Sequence, residues 1–520
     1  MSERLRDFLV SLSLANLCFL SVWIVLLKPS HYLYYNWRED PGLNEIMAVT
    51  IAVLSLTSLF WVGTVVVRRI RSRVIHELAR FLFLITPILP LNSLSQDYFQ
   101  FSFFSFFWGR LWLRLSFLGV SILVLIFLYR YRRSATNALV ALLMILSPLF
   151  ALNLLTTLWL CERVKPNFQT KQPQFQVPTK ADAPRIVWII FDELEERLVF
   201  AARPQGFKFP AFDRFRAESL VASNAFPPNR VTMSSLPSLL TGKLLQDAEP
   251  IAANDLALHA SDGSIAAWSN EPNIFSEVRV TGLSAGLMGW YHPYCRVIGD
   301  DLDFCGWAPH VGDPNPVSHK LTLGKAIARD FLTVWWRVPF TFRLFQERYE
   351  AKEVADYRGV YEEISSQANV LLDRGLNLTF LHYPVPHEPW IDKTSNPSTL
   401  RGPTVGYLNN VVLADKTLGE LRKRLEAKDL WDGTVVLISG DHWWRDSPLD
   451  SNGSRDHRVP FMLKLAGQRT QLSYDTPFNT LLTRELLILI LQGKLKSESE
   501  VAAWLTHNTH LAESPFTIAP

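Results

Sequence analysis

Long apolar runs without charged residues are concentrated in the first 161 residues of this 520-residue chain. An α-helix needs roughly 20 apolar residues to cross the hydrocarbon core of a bilayer. Residues 8–27 and 46–67 contain no charged side chain and meet this length. The predicted spans are 8–27, 46–67, 80–96, 110–129 and 136–161. The sequence therefore predicts a helical transmembrane domain over residues 1–161 with about five spans.

The basic residues between the predicted spans indicate how the chain is oriented. Short loops rich in Arg and Lys stay on the cytoplasmic side of a membrane. Arginines occur before the first span and in the second and fourth connections, namely Arg4, Arg6, Arg68, Arg69, Arg71, Arg73, Arg80, Arg130, Arg132 and Arg133. Since both basic connections lie on one side, the segments 80–96 and 110–129 cross twice or not at all, which gives five spans or three. Either count predicts a multi-pass plasma (inner) membrane protein with a cytoplasmic amino terminus and an extracytoplasmic, periplasmic carboxyl-terminal domain.

The remainder of the chain divides into a linker and a domain. Residues 162–184 are polar, rich in Pro, Gln and Lys, and lack an apolar period, which is typical of a linker. Residues 185–520 are long enough to form one domain with its own core. Within them, the aromatic segment 331–349 is typical either of a surface at the lipid headgroup level or of core packing.

Charge and cysteine content restrict the functional classes. The 52 basic and 49 acidic residues give a net charge of +3, which lacks the basic excess of a nucleic-acid binder. The four cysteines have no C-x-x-C spacing, so a cysteine-based structural zinc site is not predicted. Cys295 and Cys305 lie in the predicted extracytoplasmic domain, where oxidising conditions favour a disulfide between them. Two buried thiols are the alternative.

Three apolar, β-branched runs predict a parallel sheet. They cover residues 185–191, 376–383 and 434–440. Between the last two lies YLNNVVLADKTLGELRKRLEAKDL, with apolar residues at helical spacing. A strand, a helix and a strand in succession favour an α/β domain with a mainly parallel sheet flanked by helices. Ligands bind outside the carboxyl ends of the strands in such sheets.

Acidic and imidazole side chains follow these predicted strands. Asp192 and Glu193 come after the first, His382 lies near the end of the second, and Asp441 and His442 follow the third. Oxygen and nitrogen donors of this kind suit zinc and related divalent ions. Taken singly, acids that open a helix commonly complement the helix dipole, and isolated histidines are commonly structural. Further imidazoles are present at His387 and at His457.

A hydroxyl-rich segment offers a nucleophile. Residues 224–243 contain Thr232, several serines and the sequence Leu239-Leu240-Thr241-Gly242. A hydroxyl nucleophile needs activation at neutral pH, which a divalent ion supplies by lowering its pKa. The alternative is a Ser/Thr-rich turn that caps a helix.

Together these motifs resemble the alkaline phosphatase and sulfatase superfamily, most closely its membrane-anchored phosphoethanolamine and phosphoglycerol transferases, over most of residues 185–465. Sulfatases read C-x-P-S-R-x-x-L-L-T-G, and alignment on L-L-T-G places Thr232 at the nucleophilic position. The transferases read T-A-x-S-x-P, and the Thr, Ser and Pro of that motif coincide with Thr232, Ser235 and Pro237. No C-x-P-x-R or S-x-P-x-R occurs here, so a formylglycine-dependent sulfatase reaction is disfavoured.

The resemblance implies a role for each matching residue. It implies metal ligands at Asp192, Thr232, Asp441, His442 and His457, with zinc as the ion and manganese, magnesium or calcium as alternatives. Thr232, His382 and His387 are implied as catalytic residues, and Asp415 as a structural one. Substrate contacts are predicted for Glu193, Lys243, Trp443 and Arg445. Asp192 stands where the transferases usually have Glu, and Trp443 where the family often has Gly.

The function that the resemblance implies is transfer of a phospholipid head group. The donor is a membrane lipid, the acceptor is an envelope lipid or glycan, and the head group is of the phosphoethanolamine or phosphoglycerol type. A phosphodiesterase or sulfatase-like hydrolase of the same fold is the first alternative. An inactive membrane scaffold is the second. The sequence leaves the number of subunits open.

Overall fold

The structure is a computed structural model that describes residues 2–27, 34, 37–92, 111–173, 180, 183–310, 321–336, 339–392, 402–449 and 456–509. The chain forms two compact units. The helical unit comprises Met1–Leu33, Glu39–Pro166 and Val317–Glu350. The sheet unit comprises Tyr34–Arg38, Asn167–Pro316 and Ala351–Pro520.

The α-helices of the described residues are, in chain order, α1 (Glu3–Cys18), α2 (Leu20–Leu27), α3 (Leu43–Arg69), α4 (Arg73–Ile85), α5 (Leu111–Arg130), α6 (Arg132–Leu146), α7 (Leu149–Val164), α8 (Pro210–Arg216), α9 (Thr232–Thr241), α10 (Ile274–Val280), α11 (Tyr294–Val297), α12 (Leu323–Trp336), α13 (Pro339–Asp373), α14 (Pro403–Glu426), α15 (Thr483–Leu491) and α16 (Glu498–Asn508). The strands are β1 (Arg185–Phe191), β2 (Leu220–Ala222), β3 (Ala225–Phe226), β4 (Leu245–Ala252), β5 (Asp255–Ala260), β6 (Ile265–Ala267), β7 (Ala285–Tyr291), β8 (Phe304–Pro309), β9 (Leu378–Tyr383), β10 (Thr434–Gly440), β11 (Phe461–Lys464), β12 (Leu472–Tyr474) and β13 (Phe478–Asn479).

The helical unit contains several helices of membrane-spanning character. Leu43–Arg69, Arg73–Asn92 and Arg132–Phe168 are long and apolar enough to cross a bilayer. The pair α1 and α2 is bent by 63° and makes a fourth span if counted as one. The described part of α5 over Leu118–Arg130 is a shorter apolar helix. Three to four spans are therefore found among the described residues, and the total of five or three stays a prediction.

The helical unit also takes in a segment from late in the sequence. Val317–Glu350 belongs to it, although the sequence analysis assigned all of 185–520 to one domain. Phe331 on α12 packs edge to face on Phe19, with ring centroids 5.4 Å apart. Arg329 on the same helix pairs with Glu45 of α3. The aromatic segment 331–349 thus lies in the helical unit, and the other predicted domain boundaries stay predictions.

An eight-stranded sheet forms the centre of the sheet unit, in the order β12-β2-β11-β10-β1-β9-β7-β8. The five strands β10, β1, β9, β7 and β8 run parallel to one another. β11 is antiparallel to both β10 and β2, and β12 is parallel to β2. The predicted α/β fold with a mainly parallel sheet is therefore confirmed.

β1 shows why a continuous apolar run becomes a central strand. Successive side chains of a strand point to opposite faces of the sheet. Ile186, Trp188 and Ile190 pack in one hydrophobic core, and Val187, Ile189 and Phe191 pack in the other. Helices cover both faces, so a polar residue at either set of positions would be buried without a partner.

The same topology collects the carboxyl ends of three predicted strands at one edge. β9, β1 and β10 are neighbours, and Phe191 at the end of β1 lies beside both Tyr383 and Gly440. β11 runs the other way, so the start of β11 reaches this edge, where Phe461 pairs with Ser439. The residues that precede β11, His457 among them, therefore lie near the ends of the parallel strands.

Asp415 stabilises the start of α8, which agrees with the structural role predicted for it. The residue before α8, Phe209, provides no side-chain acceptor for the helix start. Instead, Asp415 Oδ1 on α14 accepts a hydrogen bond of 2.7 Å from the backbone N–H of Phe212. Because the Asp415→Ala variant leaves a buried N–H without this acceptor, we expect the free energy of unfolding to fall by about 1–3 kcal/mol.

Urea denaturation of the detergent-solubilised chain, followed by tryptophan fluorescence, measures this change. Asp415→Asn keeps a carbonyl oxygen at the same place and is the matched control, with an expected loss below about 1 kcal/mol. Equal stability of the Ala variant and the parent chain would show that Asp415 does not cap α8.

Candidate metal and nucleophile site

Buried acidic and imidazole side chains meet at the carboxyl ends of the central strands. Asp192 follows β1, while Asp441 and His442 follow β10, and all three are fully buried. Gly440 at the end of β10 allows this close arrangement, since a Cβ there would lie 2.6 Å from the carbonyl oxygen of Leu194. Each of these residues comes from the set that the sequence predicts.

Donor atoms of Asp192, Asp441 and His442 lie within 4.8 Å of one another and form a group that can hold a metal ion. One carboxylate oxygen of each aspartate, Asp192 Oδ1 and Asp441 Oδ2, has no hydrogen-bond partner among the described residues. Buried carboxylate oxygens normally accept hydrogen bonds or coordinate a cation. These residues therefore fit a divalent ion, as the sequence predicts.

The electrostatics of the two aspartates agree with this interpretation. Burial raises the pKa of Asp441, and the negative charge of Asp192 beside it raises that pKa further. Burial also acts to raise the pKa of Asp192, but the contact with His382 and the charges of the surrounding imidazoles outweigh it and lower that pKa overall. A cation between the two carboxylates would remove their mutual repulsion.

Hydrogen bonds to the outer atoms of the group orient its members. Asp441 Oδ1 accepts from the backbone N–H groups of Glu193 at 3.1 Å and His442 at 2.8 Å. His442 Nδ1 lies 2.9 Å from the carbonyl oxygen of Trp443. A carbonyl only accepts, so Nδ1 carries a proton and Nε2 faces the site. Partners of this kind commonly orient a metal-binding histidine.

Thr232 places its hydroxyl between two members of the group. Its Oγ1 lies 3.1 Å from Asp192 Oδ2 and 3.2 Å from His442 Nε2. Thr232 is the first residue of α9, and the helix start is held to β10 because Ser235 Oγ donates a 2.5 Å hydrogen bond to the carbonyl oxygen of Asp441. The structure thus brings Thr232, rather than a nearby serine, to the candidate metal group.

His382 lies beside the group on β9. Its Nδ1 is 3.0 Å from the carbonyl oxygen of Trp290 and 3.1 Å from the hydroxyl of Tyr294. The carbonyl accepts from Nδ1, and Nε2 of the same ring lies 3.6 Å from Asp192 Oδ2. This buried nitrogen has no hydrogen-bond partner in the described part of the chain. His382 is therefore placed to bind a second cation or an anionic substrate.

His387, Glu193 and Arg445 border the site. The backbone N–H of His387 donates to the carbonyl oxygen of Asp192 at 3.2 Å. Burial acts to lower the pKa of His387, but the carboxylates of Glu193 and Asp192 outweigh it, so that the pKa is raised. Arg445, which is exposed, donates to Glu193 Oε1 at 3.1 Å. A cation and an imidazole thus lie at the approach to the buried group.

Two of the predicted site residues, Lys243 and His457, lie outside the group of Asp192, Asp441 and His442. Lys243 follows the last residue of the ten-residue helix α9, about 15 Å along its axis from Thr232, and pairs with Glu271 at 2.5 Å. The structure does not bring Lys243 to the site. His457 stacks on Trp443 with ring centroids 3.8 Å apart, and it does not belong to the metal-binding group found among the described residues. The metal role of His457 stays a prediction.

The sequence analysis missed two histidines at the same edge. His292 follows β7 and His310 follows β8, in the positions that Asp192 and Asp441 occupy after β1 and β10. His292 is fully buried, and burial lowers its pKa to about 3. A search for imidazoles after every strand would have found both, but the glycines in β7 and β8 weaken the strand pattern.

A disulfide joins α11 to β8. Cys295 and Cys305 are bonded, as the sequence predicts, with their Cα atoms 5.5 Å apart. Cys18 and Cys161 are buried and form no disulfide within the described part of the chain. The bond fixes the segment that follows β7, which carries His292 and Tyr294.

Comparisons with known proteins give similar structures but no matching sequence family. No protein-family model matches the chain, and no curated protein matches it. The lipoteichoic acid synthase LtaP from Listeria monocytogenes is 13% identical with a TM-score of 0.38, covering 65% of this chain and 78% of that chain. The phosphonate monoester hydrolase of Agrobacterium radiobacter is 11% identical with a TM-score of 0.37, covering 59% and 74%. A sulfatase from Pseudoalteromonas sp. is 14% identical with a TM-score of 0.40, covering 60% and 69%.

These three structurally similar proteins are 11–14% identical to this chain. They include both a synthase and hydrolases. Similarity at this level does not distinguish a transferase from a hydrolase for this chain.

If Asp192, Asp441 and His442 hold a metal ion, removing one of these ligands should weaken metal binding. We expect the parent chain, purified in detergent and loaded with zinc, to retain roughly one or two ions. Asp441→Asn removes a carboxylate charge from the group, so we expect its affinity for zinc to fall by at least about tenfold. Titration with a zinc indicator, together with mass-spectrometric metal analysis, measures this difference.

Asp432→Asn is the control for this experiment. Asp432 lies before the same strand, β10, but at its opposite end, where it is exposed and pairs with Arg469. We expect this variant to bind zinc as the parent chain does. Equal zinc affinity in the parent chain and in Asp441→Asn would rule out the proposed metal group.

Proposed function

We propose that this protein is a membrane-anchored, metal-dependent transferase that moves a phospholipid head group by way of a phosphorylated Thr232. The head group is of the phosphoethanolamine or phosphoglycerol type, the donor is a membrane phospholipid, and the acceptor is an envelope lipid or glycan. The observation that carries the proposal is the position of Thr232 Oγ1, within 3.2 Å of both Asp192 and His442.

The residues that would hold the ion are Asp192, Asp441 and His442, with Thr232 as the fourth. A divalent ion, zinc in our proposal, would lower the pKa of the Thr232 hydroxyl and offset negative charge on the phosphate. The chain itself supplies the alignment: Ser235 fixes the start of α9 to β10, and Trp443 fixes the ring of His442. The oxygen is thereby held in one place before the substrate arrives.

In the first step Thr232 Oγ1 forms a bond to phosphorus while the bond from phosphorus to the glycerol oxygen of diacylglycerol breaks. The hydroxyl proton of Thr232 passes along its hydrogen bond to Asp192 Oδ2, and the departing oxygen takes up a proton to give diacylglycerol. His382 and His387 flank Asp192 and are the imidazoles placed to supply that proton. Arg445 is the exposed cation beside them and would bind the phosphate oxygens.

In the second step an acceptor hydroxyl attacks the phosphorus bound to Thr232. A new bond to the acceptor oxygen forms, the bond to Thr232 Oγ1 breaks, and the hydroxyl proton of the acceptor passes to an imidazole that lost one in the first step. Asp192 Oδ2 returns the proton to Thr232 Oγ1, so the site returns to its initial state. If water takes the place of the acceptor, the same residues give a hydrolase.

Anchoring suits this reaction. Donor and acceptor both lie in or at the membrane, so confinement of the enzyme there raises their effective concentration. We propose that the amino terminus is cytoplasmic and the sheet unit extracytoplasmic, in the periplasm beside the inner membrane. The arginine distribution supports this orientation, and the Cys295–Cys305 disulfide is of the kind that forms in oxidising compartments.

A covalent adduct on Thr232 tests the proposal. We expect the full chain, incubated with zinc and vesicles of phosphatidylethanolamine and phosphatidylglycerol, to gain the mass of one phosphorylated head group on the peptide that contains Thr232. Intact-mass measurement and peptide mapping detect this gain, and its size identifies the group. Thr232→Ala has no oxygen at this position and should stay unmodified.

Two further variants complete the design. Thr232→Ser keeps a hydroxyl and should regain the adduct, whereas Lys243→Ala changes a cation outside the site and should form it as the parent chain does. Release of free head group by the parent chain without any acceptor would favour the hydrolase. An unmodified Thr232 together with unchanged lipid turnover in Thr232→Ala would exclude Thr232 as the nucleophile.

A further inference from the structure

A short segment between the first membrane-type helices belongs to the sheet unit. Tyr34–Arg38 lies in sequence between α2 and α3, yet it is part of the unit that contains the strands. Its residues Tyr34 and Trp37 are 0% and 2% exposed. A connection that merely links two helices has no need to bury aromatic side chains in this unit.

Buried and charged groups of the sheet unit depend on this segment. Arg296, only 1% exposed, donates to the carbonyl oxygens of Tyr34 at 2.7 Å and Trp37 at 3.0 Å. Arg38 in turn donates to the carbonyl oxygen of Trp307 at 2.6 Å and to Glu363 at 2.7 Å. Because an arginine buried without acceptors is costly, these bonds fix the segment firmly in the unit.

From this fixed segment a chain of two hydrogen bonds leads to Thr232. The hydroxyl of Tyr34 lies 3.0 Å from His292 Nδ1, and His292 Nε2 lies 3.1 Å from the carbonyl oxygen of Thr232. Tyr34 and His292 are both fully buried. The ring of Trp268 packs edge to face on His292 with centroids 5.1 Å apart, which holds the imidazole in this orientation.

The donor and the acceptor of each of these two hydrogen bonds can be assigned. The carbonyl oxygen of Thr232 can only accept, so the proton of His292 lies on Nε2. In a neutral ring Nδ1 is then an acceptor, and the hydroxyl of Tyr34 donates to it. Loss of the Tyr34 hydroxyl would leave the lone pair of Nδ1 buried without a donor.

We propose that Tyr34 is a positioning residue of the catalytic site, which acts through His292 to hold the peptide carbonyl of Thr232, and that the site is incomplete without the Tyr34–Arg38 segment. The part that concerns catalysis rests on the proposed function, in which Thr232 is the nucleophile. Tyr34 makes no contact with the reacting oxygen itself. It fixes the backbone from which that oxygen projects, at the first residue of α9.

Tyr34→Phe in the full chain tests the proposal, since it removes one oxygen and keeps the ring. We expect kcat for the probe bis(p-nitrophenyl) phosphate to fall about fivefold, the factor that one neutral hydrogen bond contributes, with KM unchanged within about twofold. We also expect hydrogen–deuterium exchange of the peptide containing Thr232 to become about fivefold faster. The exchange measurement needs no substrate.

Tyr361→Phe is the matched control. Its hydroxyl makes a 2.7 Å hydrogen bond to Thr417, and its ring packs against the core on one face of the sheet, whereas the leucines of α9 pack in the core on the other face. This variant should leave both the kcat and the exchange at Thr232 as in the parent chain. Equal effects of the two Tyr→Phe changes on exchange at Thr232 would mean a general loosening and would overturn the proposal.

Variants of His292 test whether Tyr34 acts through it. His292→Leu should lower kcat as Tyr34→Phe does. Adding Tyr34→Phe to it should cause no further loss of kcat, because both changes break the same hydrogen-bonded connection from Tyr34 to Thr232. His292→Gln offers an amide N–H to the Thr232 carbonyl and should recover part of the kcat. Multiplicative losses in the double variant would overturn the proposed route.

The outcomes separate this proposal from the proposed function. If the parent chain and Thr232→Ala turn over the probe equally, the proposed function fails, while the exchange data still decide whether Tyr34 holds the Thr232 peptide. If probe turnover depends on Thr232 but neither kcat nor exchange responds to Tyr34→Phe, the proposed function stands and the positioning role is refuted.

Discussion

Two carboxylates are buried side by side in the sheet unit, and the surrounding structure must compensate for their negative charge. Asp192 and Asp441 are both inaccessible to solvent, and each raises the energetic cost of ionising the other. Such a pair needs a cation, a shared proton or a dense set of donors. Asp441 Oδ1 accepts from the backbone N–H groups of Glu193 and His442, and Asp192 Oδ2 accepts from the hydroxyl of Thr232, which leaves the other oxygen of each carboxylate for an ion. The ends of β1 and β10, the glycine before Asp441 and the start of α9 are all arranged around this requirement.

The same requirement explains why the nucleophile is a threonine at a helix start. Thr232 reaches the acidic group from α9, which is held to β10 by Ser235 and to His292 by the Thr232 carbonyl. A hydroxyl that must sit within hydrogen-bond distance of two buried ligands tolerates little displacement, because positional errors of an ångström lower reaction rates strongly. The oxygen is therefore fixed from several elements, including a segment that lies between two apolar helices in the sequence.

Much of the fold and site follows from local sequence patterns. The apolar runs 185–191 and 434–440 coincide with β1 and β10, because a strand covered on both faces must be apolar throughout. Asp192, His382, Asp441 and His442 lie together because parallel strands end at one edge. The motif around Thr232 placed that residue correctly beside them. Lys243 was predicted as a substrate contact, but it lies beyond the end of the ten-residue helix α9 and pairs with Glu271.

The sequence by itself determined which segments are apolar and which strands carry acids and imidazoles, since these follow from local periodicity. The resemblance of residues 232–242 to known family motifs indicated which hydroxyl belongs with them. Only the tertiary structure decided that Val317–Glu350 joins the helical unit, that Tyr34–Arg38 joins the sheet unit, and that His292 and Tyr34 lie behind Thr232. Those contacts join residues far apart in the chain. Their partners are chosen by packing and by hydrogen bonds between buried groups, for which a local pattern carries no signal.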